Sequence, residues 1–170
     1  MVPMRVTVVP PDPAWPARFE TEALKLRARF GDELLAIHHV GSTSVPGLWA
    51  KPIVDVMPLV HSIERLAAFR PAAEAAGFIW RGEFGIPGRC YIRTEDLNVH
   101  MYESGHREVA RHLAFRDHLR THAEARDAYA ALKRDLAARF AHDRDAYQDG
   151  KSALIEAILR AAMGDAYIGP

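Results

Sequence analysis

The stretch Ile37–Leu59, IHHVGSTSVPGLWAKPIVDVMPL, reads as a strand, a loop of small residues and a second apolar strand that carries one acid. The first strand ends at Gly41–Ser44, and Pro46-Gly47 makes a second turn before the run Ile53–Met57. A carboxylate inside an apolar β-branched run is costly unless it is paired or metal-bound, so Asp55 requires a reason. Taken alone, this pattern indicates an anionic ligand held by backbone N–H groups, facing a carboxylate that can hold its metal ion.

Length and composition favour one cytoplasmic globular domain. The chain has 170 residues, of which 49% are hydrophobic and 26% charged. Its 22 basic and 22 acidic residues cancel, so no global field attracts nucleic acid and any basic site is local. The single cysteine, Cys90, excludes an internal disulfide framework and fits a reducing cytosol. There is no apolar signal core at the N-terminus and no run of the roughly 20 apolar residues that a membrane span needs.

The first half of the chain alternates helix and strand. An apolar stripe predicts a helix that begins near Asp12 or Pro16 and ends at Gly31. Leu34–Val40 and Ile53–Leu59 are predicted as the first two core strands. A further helix follows, for which Ser62 is a candidate N-cap and Gly77 the C′ residue.

The second half adds strands and then becomes helical. Phe78–Trp80, Cys90–Ile92 and Leu97–Tyr102 are predicted strands, the last with Leu97, Val99 and Met101 on one face and Asn98 and His100 on the other. After Gly105 the apolar periodicity predicts three helices, and we expect the tail 164–170 to be loose. The predicted class is α+β: a mixed sheet with flanking helices over about residues 1–104, and a C-terminal helical layer over about 105–163 that packs back on it.

Five separate motifs resemble those of the GrpB family, a group placed in the nucleotidyltransferase superfamily. They span nearly the whole chain, in order: Pro11-Asp12-Pro13-Ala14-Trp15-Pro16, HVGSTSVPGLWAKPIVDVM from His39, AFRDHLR from Ala114, Tyr129-Ala130-Ala131-Leu132-Lys133, and Tyr147-Gln148-Asp149-Gly150-Lys151.

The resemblance implies a nucleotidyltransferase-like core in which a Gly-Ser pair contacts nucleotide phosphates and strand acids hold two divalent ions. Gly41 and Ser42 match the pair, and Asp55 matches the first acid. Two residues later, however, the chain has Met57, a poor ligand for Mg²⁺. His100 fits the family's His-x-His pattern, whereas Asn98 departs from it. One carboxylate can still help to bind a Mg²⁺ ion that a triphosphate already chelates.

Each candidate residue also has a structural interpretation. The loop can be a tight connection to a helix, Asp55 a buried acid paired with a structural base, and His100 a half-buried histidine. His39 is expected to order the loop by hydrogen bonds. Arg116, Lys133 and Lys151, with Lys51, are solvated charges individually but together make a local anion pocket plausible; Arg116 and Asp117 suggest an ion pair. His118 and His122 share a helix face, and we interpret them as surface histidines.

The leading hypothesis is a protein that binds a nucleotide or phosphorylated small molecule at Gly41, Ser42, Thr43 and Ser44, with Lys51, Arg116, Lys133 and Lys151 as further phosphate ligands. Asp55 and His100 are the candidate catalytic residues, and Asp55 is the candidate ligand for one Mg²⁺ ion. If the chain is an enzyme, we expect nucleotidyl or phosphoryl transfer. The alternative is a catalytically inactive module that senses a ligand or assists the folding of a partner protein, in line with the fusion of GrpB-like domains to dephospho-CoA kinase.

Overall fold

The computed structural model describes residues 5–170, so the first four residues of the predicted domain lie outside it. Over this range the chain forms five strands and five α-helices. In chain order they are α1 (Trp15–Phe30), β1 (Leu34–Val40), β2 (Val54–Val60), α2 (Arg70–Ala75), β3 (Ile79–Gly82), β4 (Arg89–Arg93), β5 (Leu97–Glu103), α3 (Arg107–Thr121), α4 (Ala123–Arg139) and α5 (Arg144–Met163). None of these helices is long and apolar enough to cross a membrane.

The strands form one mixed sheet in the order β1-β2-β5-β4-β3. Strands β2 and β5 are parallel, and every other neighbouring pair is antiparallel. Register places Asp55 between Val40 of β1 and Asn98 of β5. The acid of β2 and the polar residues of β5 therefore lie side by side, and the predicted α+β class is confirmed.

One face of the sheet packs on α1 and forms the main core. Leu97, Val99 and Met101 are buried there together with Trp15 and Phe30 of the predicted helical stripe. The alternation along β5 then directs Asn98 and His100 to the opposite face. The sequence predicted which residues of β5 face the core, because Leu97, Val99 and Met101 make one face wholly apolar.

Helices α3, α4 and α5 cover that opposite face, as predicted for the C-terminal layer. Residues of the loop after β1, such as Leu48, pack against Leu119, Tyr129 and Ile158 of the three helices. Helix α5 approaches α4 closely at Gly150, where a Cβ atom would lie 2.5 Å from Leu136 Cδ2. This close approach fixes the position of Lys151, the next residue of α5.

Two local predictions differ from the structure. Ser62 does not cap a helix; its N–H donates to Glu33 Oε1, and a 3₁₀ turn over Glu64–Phe69 precedes the short α2. The second strand begins at Val54 rather than Ile53. In the tail, Tyr167 bonds to Glu156 and the Gly169 carbonyl accepts a hydrogen bond from Arg111 at 2.8 Å; that the tail is loose stays a prediction.

Candidate functional site

A cavity of about 550 Å³ lies between the polar face of the sheet and helices α3–α5. Its walls come from the loop after β1, from β2, β4 and β5, from the loop before β4, and from all three helices. Asp55, Asn98 and His100 lie on the sheet side, whereas Lys133 and Lys151 come from the helices. The volume is within the range of pockets that bind small molecules and cofactors.

Gly41 begins the loop in a backbone conformation that requires glycine. Its φ is +70° and its ψ is −173°, a region that residues with a Cβ atom almost never occupy. A Cβ atom here would lie 2.6 Å from Asp55 Oδ2. The glycine therefore lets the loop pass directly over the carboxylate, which brings the loop and the acid into one site.

The loop turns once and does not lead into an α-helix. Ser42–Ser44 form a single 3₁₀ turn, in which the Ser44 N–H and Oγ–H donate to the Gly41 carbonyl at 3.1 and 2.5 Å. The Ser44 carbonyl then accepts two hydrogen bonds from Arg120, at 2.9 and 2.8 Å. The strand-to-helix connection that we considered for this loop is thus wrong, and no helix N-terminus faces a ligand here.

His39 orders the loop through a hydrogen bond to Thr43, as we expected from its position before Gly41. Its Nε2 lies 2.9 Å from Thr43 Oγ1, and its ring stacks on Phe19 with the centroids 4.8 Å apart. Burial lowers the pKa of His39 to about 4. A neutral imidazole therefore holds Thr43 in place at neutral pH.

Asp55 is held by a chain of hydrogen-bonding side chains. Asn98 Nδ2 donates to Asp55 Oδ1 at 3.0 Å, and the Tyr91 hydroxyl donates to Asn98 Oδ1 at 2.8 Å. His100 Nε2 lies 3.1 Å from the same Asp55 oxygen. Burial by itself would raise the pKa of Asp55, but the hydrogen bonds from His100 and Asn98 outweigh it and keep the pKa below its usual value. The acid is ionised at neutral pH and has partners at Oδ1.

His100 is enclosed by other rings. It stacks on Tyr91 at a centroid distance of 5.0 Å, and His112 of α3 lies 5.6 Å away. Its Nδ1 atom is buried and has no hydrogen-bond partner among residues 5–170. Burial lowers the pKa of His112 to about 3, so this second ring is neutral. His100 thus meets Asp55 through Nε2, while its other nitrogen faces no solvent.

The donor set around Asp55 does not fit a metal ion held by the protein. Met57, at the expected position of a second acid, lies on the same strand face but is fully buried against Val40 and Tyr102. Within the described range, no group of three histidine, cysteine or acidic side chains is placed to bind a metal. No reaction step at this site is therefore assigned to Mg²⁺. The role of Asp55 as a metal ligand stays a prediction from the family resemblance.

Lys133 enters the cavity from α4 and is almost fully buried. Its ammonium donates to Ser42 Oγ at 2.7 Å and to the Trp49 carbonyl, and it lies 4.5 Å from the centroid of the Tyr129 ring. Burial and the nearby cations Lys151 and Lys51 lower the pKa of Lys133 to about 7, against the attraction of Asp55. This lysine joins the loop to the helical layer.

Lys151 and Lys51 both lie close to the ring of Tyr147. Their ammonium groups are 4.7 and 5.5 Å from the centroid of that ring. Burial, then Lys51, lowers the pKa of Lys151 to about 8, and burial also lowers the pKa of Lys51. In the part of the chain that the structure describes, neither these two lysines nor Lys133 lies within ion-pair distance of a carboxylate. The cavity thus gathers three cations whose mutual repulsion is only partly offset by Asp55.

Two of the predicted phosphate ligands do not line the cavity. Arg116 Nη1 donates to the His39 carbonyl at 3.1 Å, and its Nε pairs with Asp117 at 2.7 Å, as the predicted ion pair required. Ser44 is buried within the loop turn. His118 and His122 stack on each other at 3.8 Å on the outer side of α3, away from the cavity.

Several cavity residues were not identified from the sequence. They are mostly basic or aromatic: Phe84, Arg89, Tyr91, Arg111, His112 and Arg144. Of these, Tyr91 and His112 are brought to Asp55 only by strand order and helix packing. The sole sequence signal was the position of Tyr91 on a predicted strand, which does not identify its neighbour.

A second, smaller cavity of about 420 Å³ adjoins the first at Lys51, Asn98 and Arg144. Arg5, Arg93, Glu95 and Asp96 are among its other lining residues. Basic residues therefore continue beyond the main cavity, but here acids accompany them.

Comparison with known proteins identifies relatives over most of the chain. The sequence model of the family described as GrpB protein matches residues 5–161. The chain is 40% identical over 156 residues to UPF0157 protein YqkA of Bacillus subtilis, covering 89% of this chain and 46% of YqkA. It is 42% identical to a UPF0157 protein of Streptomyces coelicolor over 86% of this chain and 80% of the relative.

Two further similarities concern a solved structure and a longer protein. The crystal structure of conserved protein GrpB from Enterococcus faecalis superposes with a TM-score of 0.88 at 37% identity, covering 92% of this chain and 96% of that one. A protein named dephospho-CoA kinase from Mycolicibacterium paratuberculosis is 31% identical over 171 residues, covering 84% of this chain and 42% of the kinase.

Proposed function

The chain belongs to the GrpB family, and from the geometry of its cavity we propose that it binds a nucleotide or another phosphorylated small molecule between the sheet and helices α3–α5. One observation carries this proposal. Lys51, Lys133 and Lys151 converge on the cavity from three separate segments, without carboxylate partners among the described residues. Burying cations is costly, and an anionic ligand that enters the cavity compensates them.

The arrangement suits phosphate in particular. The Lys133 ammonium and the Ser42 hydroxyl lie 2.7 Å apart, so a positive charge and a hydroxyl group lie side by side in the cavity. Lysine ammonium groups bind phosphate as point charges, and a hydroxyl adds a donor of defined direction. Lys151 and Lys51 supply further positive charge beside Tyr147. Several phosphate groups of one ligand can therefore be neutralised within one cavity.

Transfer of a nucleotidyl or phosphoryl group stays a prediction from the family's placement in the nucleotidyltransferase superfamily. Asp55 accepts hydrogen bonds from Asn98 and lies 3.1 Å from His100, so its Oδ1 is already engaged. The His100 nitrogen that could accept a proton is buried. These contacts support ligand binding more directly than they support general-base catalysis.

A second candidate function is a non-catalytic module that assists a partner protein. The burial of Met57 in an apolar cluster favours it, because a second metal ion then lacks a carboxylate. The similarity to less than half of a dephospho-CoA kinase also favours it, because a related segment there accompanies other sequence. In this case the ligand cavity would serve as a sensor rather than as an active site.

Isothermal titration calorimetry with inorganic tripolyphosphate, nucleoside triphosphates and sugar phosphates, each with and without Mg²⁺, tests the binding proposal. We expect at least one phosphorylated compound to bind wild-type protein, and Lys151→Met to weaken that binding about tenfold or more. Lys25→Met is the matched control, since Lys25 is exposed on α1 and pairs with Glu22 at 2.8 Å. If no compound binds and none raises the melting temperature, the proposal is wrong.

Asp55→Asn separates the two candidate functions. An enzyme that uses Asp55 loses turnover of a bound nucleotide while the variant remains folded. A binding module retains ligand affinity, and neither wild type nor variant converts the ligand. Product analysis by mass spectrometry, with circular dichroism to verify folding, gives the answer.

A further inference from the structure

The loop between β3 and β4 presents an aromatic side chain at the mouth of the lysine-lined cavity. Phe84 is 57% exposed, although it lines the cavity together with Gly85 and Ile86. An exposed phenylalanine ring forgoes the free energy that burial of its apolar surface would supply. The Arg81 guanidinium lies over the ring at 5.6 Å from its centroid, and Tyr91 lies 5.7 Å away, yet these two contacts leave more than half of the side chain exposed.

The backbone at Phe84 is strained as well. Its φ is +44°, and it is the one non-glycine residue with a positive φ among residues 5–170. For a bulky residue this region is unfavourable and persists only where the surroundings hold it. An outlier of this kind at a cavity rim is a reason to look for a ligand contact.

A buried arginine holds the loop in this form. Arg89 is 8% exposed, and its guanidinium donates to the Phe84 carbonyl at 2.7 Å and to the Glu83 carbonyl at 3.1 Å. The Glu83 carboxylate in turn accepts a hydrogen bond from the Gly88 N–H at 2.8 Å. The exposed ring is thus part of a built loop with defined hydrogen bonds at both of its ends.

The ring continues an aromatic wall that leads into the cavity. Phe84 lies 5.7 Å from Tyr91, and Tyr91 stacks on His100 with the centroids 5.0 Å apart and the planes inclined by 12°. His100 then reaches Asp55 at 3.1 Å. Aromatic rings therefore line one wall from Phe84 at the rim to the Asp55 carboxylate. Lys133 of α4 and Lys151 of α5 line other parts of the same cavity.

We propose that the ligand carries a planar unsaturated ring as well as its phosphate groups, and that this ring stacks on Phe84. The inference rests on the proposed phosphate-binding function and adds a chemical class to it, a nucleotide rather than a sugar phosphate or an inorganic phosphate. Stacking on an aromatic face tolerates many bases, so the site selects a flat ring more strongly than one particular base. The cavity of about 550 Å³ has room for a ligand of this size.

The test compares a ligand with a ring and one without it on matched variants. Isothermal titrations of wild type, Phe84→Leu and Phe84→Trp use nucleoside triphosphates and inorganic tripolyphosphate. Phe84→Leu keeps an apolar side chain but removes the ring, and Leu24→Ala alters an apolar side chain that is 69% exposed on α1, outside the cavity.

We expect wild type to bind a nucleoside triphosphate more tightly than tripolyphosphate. Phe84→Leu is expected to lower nucleotide affinity about tenfold and leave tripolyphosphate affinity unchanged, whereas Phe84→Trp retains nucleotide affinity. If tripolyphosphate binds as tightly as every nucleotide, or if Phe84→Leu weakens both equally, the ring contact is refuted while the anion site stands. If neither ligand binds, the proposed function itself fails, and this inference fails with it.

Discussion

The two walls of the cavity balance their charges in opposite ways. On the sheet, Asp55 is an ionised carboxylate in a small network, and Asn98 and His100 supply its hydrogen bonds. On the helices, Lys133 and Lys151 have no carboxylate partners among the described residues. Burial and Lys51 lower the pKa of both lysines, and Lys151 lowers the pKa of Lys133 further. The sheet side of the cavity, the acidic wall, thus has partners for its charged group without a ligand. The helical side, the basic wall, lacks an anion among the described residues that would neutralise its lysines.

This difference explains why binding is a stronger inference than catalysis. A two-metal active site needs carboxylates that are free to bind metal ions. Here Asp55 already has hydrogen-bond donors, whereas the lysines have no carboxylate partner within residues 5–170. The family resemblance directs attention to Asp55, but the structure makes the lysines the chemically unsatisfied part of the site. Substitutions that alter one wall at a time test this difference.

Gly41→Ala should disrupt the acidic wall most severely. The added Cβ atom would lie 2.6 Å from Asp55 Oδ2, in a backbone conformation with φ of +70°. Gly31→Ala is the matched control, because its φ is +54° but no heavy atom lies within 4 Å of the added atom. In urea denaturation we expect Gly41→Ala to lose about 2 kcal/mol more unfolding free energy than Gly31→Ala. Equal losses would mean that the loop does not rest on the carboxylate.

Lys133→Met should affect both stability and binding. The substitution leaves Ser42 Oγ and the partly buried Trp49 carbonyl without their donor, so we expect a loss of about 1–2 kcal/mol in unfolding free energy. Tripolyphosphate affinity should fall roughly tenfold or more in calorimetry, since a charge-assisted contact is lost.

Lys151→Met gives the contrast. In the described part of the chain, the Lys151 ammonium has no hydrogen-bond partner, so its removal should weaken anion binding without lowering stability. A stability loss in Lys151→Met as large as that in Lys133→Met would contradict the different roles assigned to the two lysines.

Asp55→Asn should change anion affinity in the opposite direction. Asp55 attracts the charged forms of Lys133 and Lys151, and its negative charge repels an entering phosphate. Removing that charge should tighten Mg²⁺-free tripolyphosphate binding about fivefold, equivalent to about 1 kcal/mol. Calorimetry at pH 7 measures it. Weaker binding, particularly if confined to titrations with Mg²⁺, would instead support Asp55 as a ligand of a phosphate-bound metal ion.

The last prediction changes no residue and concerns the pH dependence of the ligand-free protein. The pKa values of Lys133 and Lys151 are lowered from 10.5 to about 7 and about 8, so the unfolded chain binds more protons than the folded chain above pH 7. Folding stability from these groups therefore rises as the pH increases from 7 towards 10. Thermal unfolding of wild type between pH 7 and 9 should show this rise, and Lys151→Met should show less of it.

Anion binding should follow the reverse trend, because it requires the protonated lysines. Tripolyphosphate affinity is expected to fall over the same pH range in wild type. An affinity that does not vary with pH would argue that these lysines do not contact the anion.

The parts of the fold that depend on local pattern were predictable. The bounds of β1 agree with the predicted Leu34–Val40, the two faces of β5 follow from apolar alternation, and the C-terminal helices follow from their periodicity. The loop after β1 was harder, since small residues suit both a helix start and a 3₁₀ turn. The structure forms the turn, and Val45 then takes an extended conformation.

The site itself was only partly predictable because it joins distant segments. Ser42 and Lys133 meet across 91 residues of sequence, and only the family resemblance singled out that lysine. The same reasoning selected Arg116, which instead binds the His39 carbonyl. Helix packing decides which basic side chains face the cavity, and a motif does not contain that information. Phe84 gave no signal either, because its exposure and strain are properties of the folded loop.

A crystal structure of the chain with bound tripolyphosphate or a nucleoside triphosphate would test the central claim most directly. We expect phosphate oxygens within hydrogen-bond distance, about 2.7–3.0 Å, of Lys133 and Lys151, and within reach of the loop at Ser42. Phosphates bound only in the adjoining cavity beside Arg5 and Arg93, with no contact to Lys133 or Lys151, would contradict it.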